Sequence, residues 1–146
     1  MYIKFGLGSL LIVFLLLFIF KGAHTHMQKP LIDVQSTQDV VKMFDQDATS
    51  IEKHTELYIQ EAQKQLNVII ATKDYTWDTV AYPLDRLVAT SNLAIWQNIV
   101  GFLKMISPDK SIRDAANKAV IKINNFFVDL SMNPELYAVF KVYAQG

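Results

Sequence analysis

Residues 49–71, TSIEKHTELYIQEAQKQLNVIIA, decide the fold, because their apolar side chains repeat with the period of an α-helix. The repeat has intervals of seven, four, four and three residues and comprises Ile51, Tyr58, Ala62, Leu66 and Ile69. Such spacing places apolar side chains on one face of a helix and leaves the opposite face polar. Asp47, Thr49 and Ser50 offer N-caps before this face begins. The stretch therefore predicts an amphipathic helix from about Thr49 to Ala71.

A second long helix is predicted after a polar break at residues 73–75. Thr76 is its expected N-cap, and Asp78 in the first turn interacts favourably with the helix dipole. Its apolar stripe comprises Val80, Leu84, Leu87, Val88, Trp96, Ile99, Val100, Leu103 and Ile106. Pro83 lacks a backbone N–H, so we expect it to kink this helix or to delay its regular start. The polar stretch at residues 89–92 is a further point where the helix can bend.

Two proline pairs mark the starts of the remaining helices. Ser107-Pro108 and Asn133-Pro134 each place a capping side chain directly before a proline, which is a typical helix start. The third helix carries Ile112, Ala116, Ala119, Ile123, Phe127 and Leu130, and a short fourth helix carries Leu136, Val139, Phe140 and Tyr143. A shorter helix is expected over residues 37–44. Because no run alternates cleanly between apolar and polar side chains, the predicted fold class is all-α, an antiparallel helical bundle of about four helices.

An apolar run precedes this domain. From Phe5 to Phe20 sixteen residues carry no charge, and Lys4 and Lys21 flank them. As a helix the run would span about 24 Å, a little less than a hydrocarbon core of about 30 Å. It is interpreted as a short membrane anchor or as the apolar region of a signal peptide. The residues after Lys21 form a poor cleavage site, which favours the uncleaved anchor.

The chain is thus predicted to have three parts. Residues 1–21 are the membrane anchor or signal segment, residues 22–36 are a tether, and residues 37–146 are an all-helical domain. We expect the domain to be membrane-anchored through residues 5–20, or exported if the N-terminal segment is cleaved. The lysines at the two ends of the run are nearly symmetric, so they leave the orientation in the membrane open.

Charge and cysteine content exclude several classes of function. The chain has 14 basic and 14 acidic side chains, and its formal net charge is zero. This balance offers no electrostatic attraction for a nucleic acid, so no nucleic-acid partner is expected. The absence of cysteine excludes a disulfide framework, a thiolate nucleophile and a thiolate metal site. The domain must therefore be stabilised by packing alone.

Histidines and glutamates are the polar candidates for chemistry. His24 and His26 stand in the tether without a third ligand, so no metal site is predicted there. His54 is expected on a solvated helix face. The acidic side chains of the same helix, expected to form a solvated face rather than a catalytic pair, are Glu52, Glu56 and Glu61. No catalytic, cofactor-binding or metal-binding residue is predicted.

Aromatic side chains at helical spacing are expected in the core or at an interface. Phe126 and Phe127 are adjacent and stand about 100° apart around a helix, so one of the two rings is expected to leave the core. An exposed ring there would mark a surface for a partner. Tyr143, near the C-terminal end, is the third residue of this predicted partner surface.

Four segments resemble the N-terminal helical region of the M3 family of zinc oligopeptidases, the family of oligopeptidase A and thimet oligopeptidase. They are Thr76-Trp77-Asp78-Thr79-Val80 with Pro83-Leu84, Ser107-Pro108-Asp109-Lys110 with Ile112-Arg113-Asp114-Ala115, Asp129-Leu130-Ser131, and Asn133-Pro134-Glu135-Leu136-Tyr137. The segments occur in the family's order, and the resemblance covers roughly residues 35–146. It implies a helical fold, which in the full enzymes forms part of the lobe around a narrow channel for short peptides.

The zinc site of that family requires the motif HExxH, and no histidine of this chain begins that motif. The resemblance therefore implies no cofactor here, and zinc is expected only if a catalytic domain follows in a longer chain. We expect a non-catalytic helical module that binds a peptide ligand or docks a separate catalytic half. The alternatives are the N-terminal fragment of a full-length zinc oligopeptidase that cleaves short peptides, and a structural subunit of a membrane complex.

Overall fold

The computed structural model describes residues 35–145, and the regular elements in this range are all helical. They are α1 (Thr37–Phe44), α2 (Ala48–Ile70), a π-helical turn (Trp77–Ala81), α3 (Tyr82–Ala89), α4 (Asn92–Ile106), α5 (Lys110–Ser131) and α6 (Pro134–Tyr143). The predicted all-α fold is thereby confirmed for these residues. The apolar run at residues 5–20 lies outside them, as does the predicted tether up to residue 34. Within the described range, none of the helices is long and apolar enough to cross a membrane.

Helices α2, α4 and α5 pack against one another and form the centre of the fold. α4 runs antiparallel to α2, because Asn92 at its start bonds to Glu61 while Trp96, one turn later, bonds to Thr55. A short connection joins α4 to α5, and these two helices are also antiparallel. α2 and α5 are consequently parallel, and both N-termini lie beside the C-terminus of α4. The centre thus contains three long helices, two of which run the same way.

The shorter helices cover the edges of this three-helix centre. α3 packs on α2 and α4, and α6 packs on α2 and on the π-helical turn. α1 contacts α4, where the rings of Phe44 and Phe102 lie 5.9 Å apart. The boundaries of α1 agree with the predicted residues 37–44, and those of α2 differ from the prediction by one residue at each end. Asn133 caps α6 as predicted, and its side chain accepts bonds from the N–H groups of Glu135 and Leu136.

The predicted second long helix is divided into three elements. Thr76 begins the π-helical turn, as its predicted N-cap role requires, and exchanges hydrogen bonds with Thr79 in a capping box. Pro83 delays the regular start, because it has no N–H to donate to a carbonyl one turn back. The chain first makes a π turn, in which the N–H of Tyr82 bonds to the carbonyl of Trp77, and α-helical geometry follows. At the polar stretch 89–92 the helix ends rather than bends, because Ser91 caps a new helix through Ala94 N–H at 3.1 Å.

The predicted start of the third helix is wrong by two residues. Ser107 ends α4, where its N–H bonds to the carbonyl of Leu103 at 3.1 Å. Asp109 is the N-cap of α5, and its carboxylate accepts a bond of 2.7 Å from the N–H of Ser111. The Arg113 guanidinium donates to the carbonyls of residues 107 and 108 at 2.8 and 2.9 Å. Because Asp109 caps α5 and Arg113 binds the carbonyls that precede it, α5 begins two residues later than the Ser107-Pro108 pair predicts.

A buried hydrogen bond joins α4 to α2 inside the core. The indole Nε1–H of Trp96 donates to Thr55 Oγ1 at 2.9 Å, and Thr55 in turn donates to the carbonyl of Ile51 at 2.7 Å. Trp96 is 2 % exposed and Thr55 is 1 % exposed. Both polar atoms are thereby satisfied away from water, which is the condition for burying them at low cost. Thr55 occupies the position between Ile51 and Tyr58 on the buried face of α2, where the apolar repeat skips one turn.

We predict that Thr55→Val lowers the free energy of unfolding by about 1–3 kcal/mol, because it leaves the buried indole N–H without an acceptor. The change nearly preserves the side-chain volume, so no large cavity accompanies it. Chemical denaturation followed by circular dichroism measures the loss. In a Trp96→Phe background the same substitution should cost less, with a coupling energy of at least about 0.5 kcal/mol. Strictly additive effects would show that the bond does not stabilise the fold.

Candidate functional site

A groove lies between the N-terminal halves of the parallel helices α2 and α5. Its volume is about 350 Å³. The residues that line it are Ala48, Thr49, Glu52, Thr55, Ser111, Asp114, Ala115, Lys118, Ala119 and Lys122. Thr55 and Ala119 are buried and form the floor, while the charged side chains are exposed and form the rim. The groove exists because alanines occupy positions where larger side chains would fill the space between two helices.

Side chains of both charges stand on the rim of the groove. Glu52 of α2 and Asp114 of α5 are acidic, whereas Lys118 and Lys122 of α5 are basic. Lys122 forms an ion pair with Glu56, which links α5 to α2 at one end of the groove. The hydrogen bond that Lys122 donates to Glu56 raises the pKa of the lysine and thus favours its charged form. The rim therefore offers an acceptor and a donor of opposite charge within one small opening.

Two aspartates cap the N-termini of α2 and α5, the helices that form the groove. Asp47 accepts from the N–H of Ser50 at 2.6 Å, and Asp109 accepts from the N–H and the hydroxyl of Ser111 at 2.7 and 2.8 Å. The backbone bond from Ser50 lowers the pKa of Asp47, and the hydroxyl bond from Ser111 lowers the pKa of Asp109. These carboxylates stand at the positive ends of two parallel helix dipoles. They therefore help to compensate the charge that the two N-termini bring to the same place.

An aromatic cluster supports the site from the side of α4. The His54 ring stacks on Tyr58 at 5.9 Å and meets the Trp96 ring edge-on at 5.4 Å. His54 Nδ1 also lies 3.2 Å from the side-chain oxygen of Gln46. The prediction of a solvated His54 is therefore wrong, because α4 approaches this side of α2 and leaves the ring half-buried. Burial raises the pKa of Tyr58, and the nearby Glu61 carboxylate adds to this effect.

The predicted partner surface lies away from the groove, near the C-terminal ends of α5 and α6. Phe126 is buried, whereas Phe127 is only half-buried and meets it at 5.5 Å. The core position that the sequence assigns to Phe127 is thus taken by Phe126, because Phe126 continues the helical spacing of the buried Ala119, Ile123 and Leu130. Tyr143 is half-buried and lies 6.0 Å from the ring of Phe140. A partner role for these three residues stays a prediction.

The predicted acidic face is present on α2. Glu52 and Glu56 are exposed, and Glu61 is half-buried and accepts a bond from Asn92 at 3.2 Å. Among residues 35–145, no three histidine, cysteine, aspartate or glutamate side chains gather into a group suited to a metal ion. His24 and His26 fall outside the described part of the chain. A peptide-binding module is expected from the sequence, but the position of the groove between α2 and α5 is not, although its alanines recur on α5 with helical spacing.

Comparison with known proteins gives no relative. No family model, no curated protein and no solved structure matches the chain. The resemblance to M3 oligopeptidases thus remains a prediction from four short segments, and the site must be interpreted from its own chemistry.

We predict that acid destabilises the fold through the capping carboxylates. Because the pKa values of Asp47 and Asp109 are lower in the folded chain than their usual 3.8, their stabilisation is present above that pH and is lost as the pH falls through the folded values. Asp47→Asn with Asp109→Asn keeps the caps but removes the titration, so the fall in melting temperature below pH 4 should become shallower. Asp45→Asn with Asp129→Asn is the matched control, because both residues are exposed and neither is an N-cap. An unchanged acid slope in the capping variant would contradict the assignment.

Proposed function

We propose that this chain is a non-catalytic helical module, attached to a membrane through residues 5–20, that binds a short peptide segment in the α2–α5 groove. The observation that carries the proposal is the groove itself. Its volume of about 350 Å³ lies at the lower end of the range typical of ligand sites, about 300–1,000 Å³. That space accommodates a few residues of an extended peptide rather than a folded domain.

The chemistry of the rim favours a peptide over other small ligands. A peptide carries an ammonium group and a carboxylate, and the rim offers Glu52 for the first and Lys118 for the second. The exposed hydroxyl of Thr49 adds a donor and acceptor for backbone amides. The balanced charge also argues against a strongly anionic ligand such as a nucleic acid, which needs clustered cations.

The arrangement of the groove supports binding rather than chemistry. The hydroxyl of Ser111 already donates to Asp109 in the helix cap, so it is committed to structure. Glu56 is engaged by Lys122, and Asp114 by Lys110. Among the described residues, none of these groups forms the nucleophile–base pair that covalent catalysis requires.

The resemblance to M3 oligopeptidases gives a second candidate. If the reading frame continues beyond residue 146 into a segment with HExxH, the product would be a peptide-cleaving enzyme whose zinc and activated water come from that segment. The native mass separates the two cases. A band near 16.6 kDa in an antibody blot of native membranes favours the binding module, and a band several times larger favours the enzyme. A third candidate, a structural subunit of a membrane complex, predicts co-purification in a fixed stoichiometry.

The binding proposal is tested by nuclear magnetic resonance of the full chain in nanodiscs. A mixture of four- to eight-residue peptides with free termini should shift the amide signals of Ala48, Ser111 and Lys118. We predict that Lys118→Trp, which removes a rim cation and places a large ring over the groove, weakens this binding at least about tenfold, equivalent to about 1.4 kcal/mol.

Asn117→Trp is the matched control, because residue 117 is exposed on the same helix but does not line the groove. It should leave the peptide affinity unchanged. Signals that shift equally in both variants, or that shift only outside the groove, would contradict peptide binding at this site.

A further inference from the structure

We propose that the outer face of α4, together with α1, docks on the surface of the bilayer that holds residues 5–20. The inference rests on the proposed membrane attachment and specifies how the domain is oriented on it. The docking surface, called here the α1–α4 patch, consists of Val40, Val41, Phe102, Met105 and Ile106. These side chains are the exposed apolar residues of two adjoining helices.

The patch is continuous because two apolar stripes meet at one ring contact. On α4, Phe102, Met105 and Ile106 are spaced by three and four residues and are 55 %, 77 % and 58 % exposed. On α1, Val40 and Val41 lie one turn before Phe44. The rings of Phe44 and Phe102 are 5.9 Å apart with an interplanar angle of 58°. The stripe of each helix therefore extends outward from the same point of contact.

α1 is an amphipathic helix that lacks a complete partner within the described residues. It has eight residues and buries none of them fully, and its packing on the core is limited to the half-buried Met43 and Phe44. A helix of this length is marginal in water unless its apolar face is covered. The exposed valines of α1 are therefore the part of the patch that gains most from a second surface.

The position of α1 in the chain identifies the bilayer as that surface. α1 begins at Thr37, sixteen residues after Lys21 closes the apolar run, so it is the first helix of the domain beyond the membrane segment. A tether this short keeps the patch at a high effective concentration near the bilayer, on the order of millimolar. Docking then requires only a small apolar area, since the membrane segment has already restricted the domain to that surface.

The patch itself carries little charge. Lys104 follows Phe102 by two residues, so it stands about 160° from Phe102 around α4 and lies off the patch. Lys42 on α1 is paired with Asp39 at 3.6 Å and adds little net charge. Apolar contact rather than headgroup charge therefore dominates the docking.

This orientation leaves the α2–α5 groove accessible. Helices α2, α4 and α5 pack pairwise, so the outer face of α4 lies opposite the cleft between the other two helices. With the α1–α4 patch on the bilayer, the groove opens away from the membrane. A peptide can then reach it from the aqueous side without displacing the domain.

The test uses the absence of cysteine from the chain. Single-cysteine variants of the full chain, Met105→Cys and Val68→Cys, are labelled with a bimane fluorophore and reconstituted into phosphatidylcholine vesicles with or without brominated acyl chains. Residue 68 is 73 % exposed, close to the 77 % of residue 105, but it lies near the opposite end of the bundle. We expect bromine to quench the label at residue 105 several-fold more than the label at residue 68.

A charge within the patch provides the second variant. With the label at Val41→Cys, adding Met105→Asp should reduce quenching to the level of the residue 68 control, whereas adding Val68→Asp should leave it unchanged.

Equal quenching at residues 105 and 68 would overturn the docking but not the membrane attachment, which flotation of the vesicles measures separately. A blue-shifted but unquenched label at residue 105 would mean that a second copy or another protein segment covers the patch. A chain that fails to float would overturn both proposals.

Discussion

The hydrogen bond between Trp96 and Thr55 is the constraint on which the arrangement of the helices depends. A buried indole N–H must find an acceptor, and Thr55 is the buried hydroxyl on α2 that provides one. This requirement fixes the rotation of α4 about its own axis and its axial position along α2. Because a short connection then returns the chain as α5, the position of α4 also determines where α5 lies. The parallel course of α2 and α5 follows from this contact, from the bond between Asn92 and Glu61 one turn earlier, and from the length of one loop.

The functional features follow from that parallel course. Two helix N-termini and the C-terminus of α4 meet at one end of the bundle, and the groove opens there because alanines separate α2 from α5. Thr55 belongs to the groove floor as well as to the core, so the hydrogen bond that positions α4 also shapes the site. The same end carries α1, the first described helix after the apolar run. Ligand site and proposed membrane contact are therefore neighbours on opposite faces of one end.

Local sequence signals predict the helices well, whereas contacts between helices decide what those signals miss. The apolar period and the caps locate the first two helices to within a residue, since both depend on neighbouring residues only. The sequence does not indicate the role of Thr55, because a threonine interrupts an apolar stripe and its partner is distant in sequence. The Ser107-Pro108 pair indicates a helix start nearby, but it does not show that Asp109 rather than Ser107 is the N-cap. The side chains of Phe126 and Phe127 point about 100° apart around α5. Which of the two rings is buried is decided by the packing of α5 against the rest of the core, and that ring is Phe126. The groove depends on small residues from two helices, so no single segment could have indicated it.

The most direct test of this account is the exchange rate of the two indole N–H protons in the full chain, measured by nuclear magnetic resonance in nanodiscs. Trp96 is 2 % exposed and bonded to Thr55, whereas Trp77 is 59 % exposed, so the chain contains its own control. The account predicts that the Trp96 indole proton exchanges with solvent at least about tenfold more slowly than that of Trp77, because exchange requires the core to open. Equal exchange rates would mean that α4 is not held on α2 by this bond, and the arrangement of the groove would then lose its physical basis.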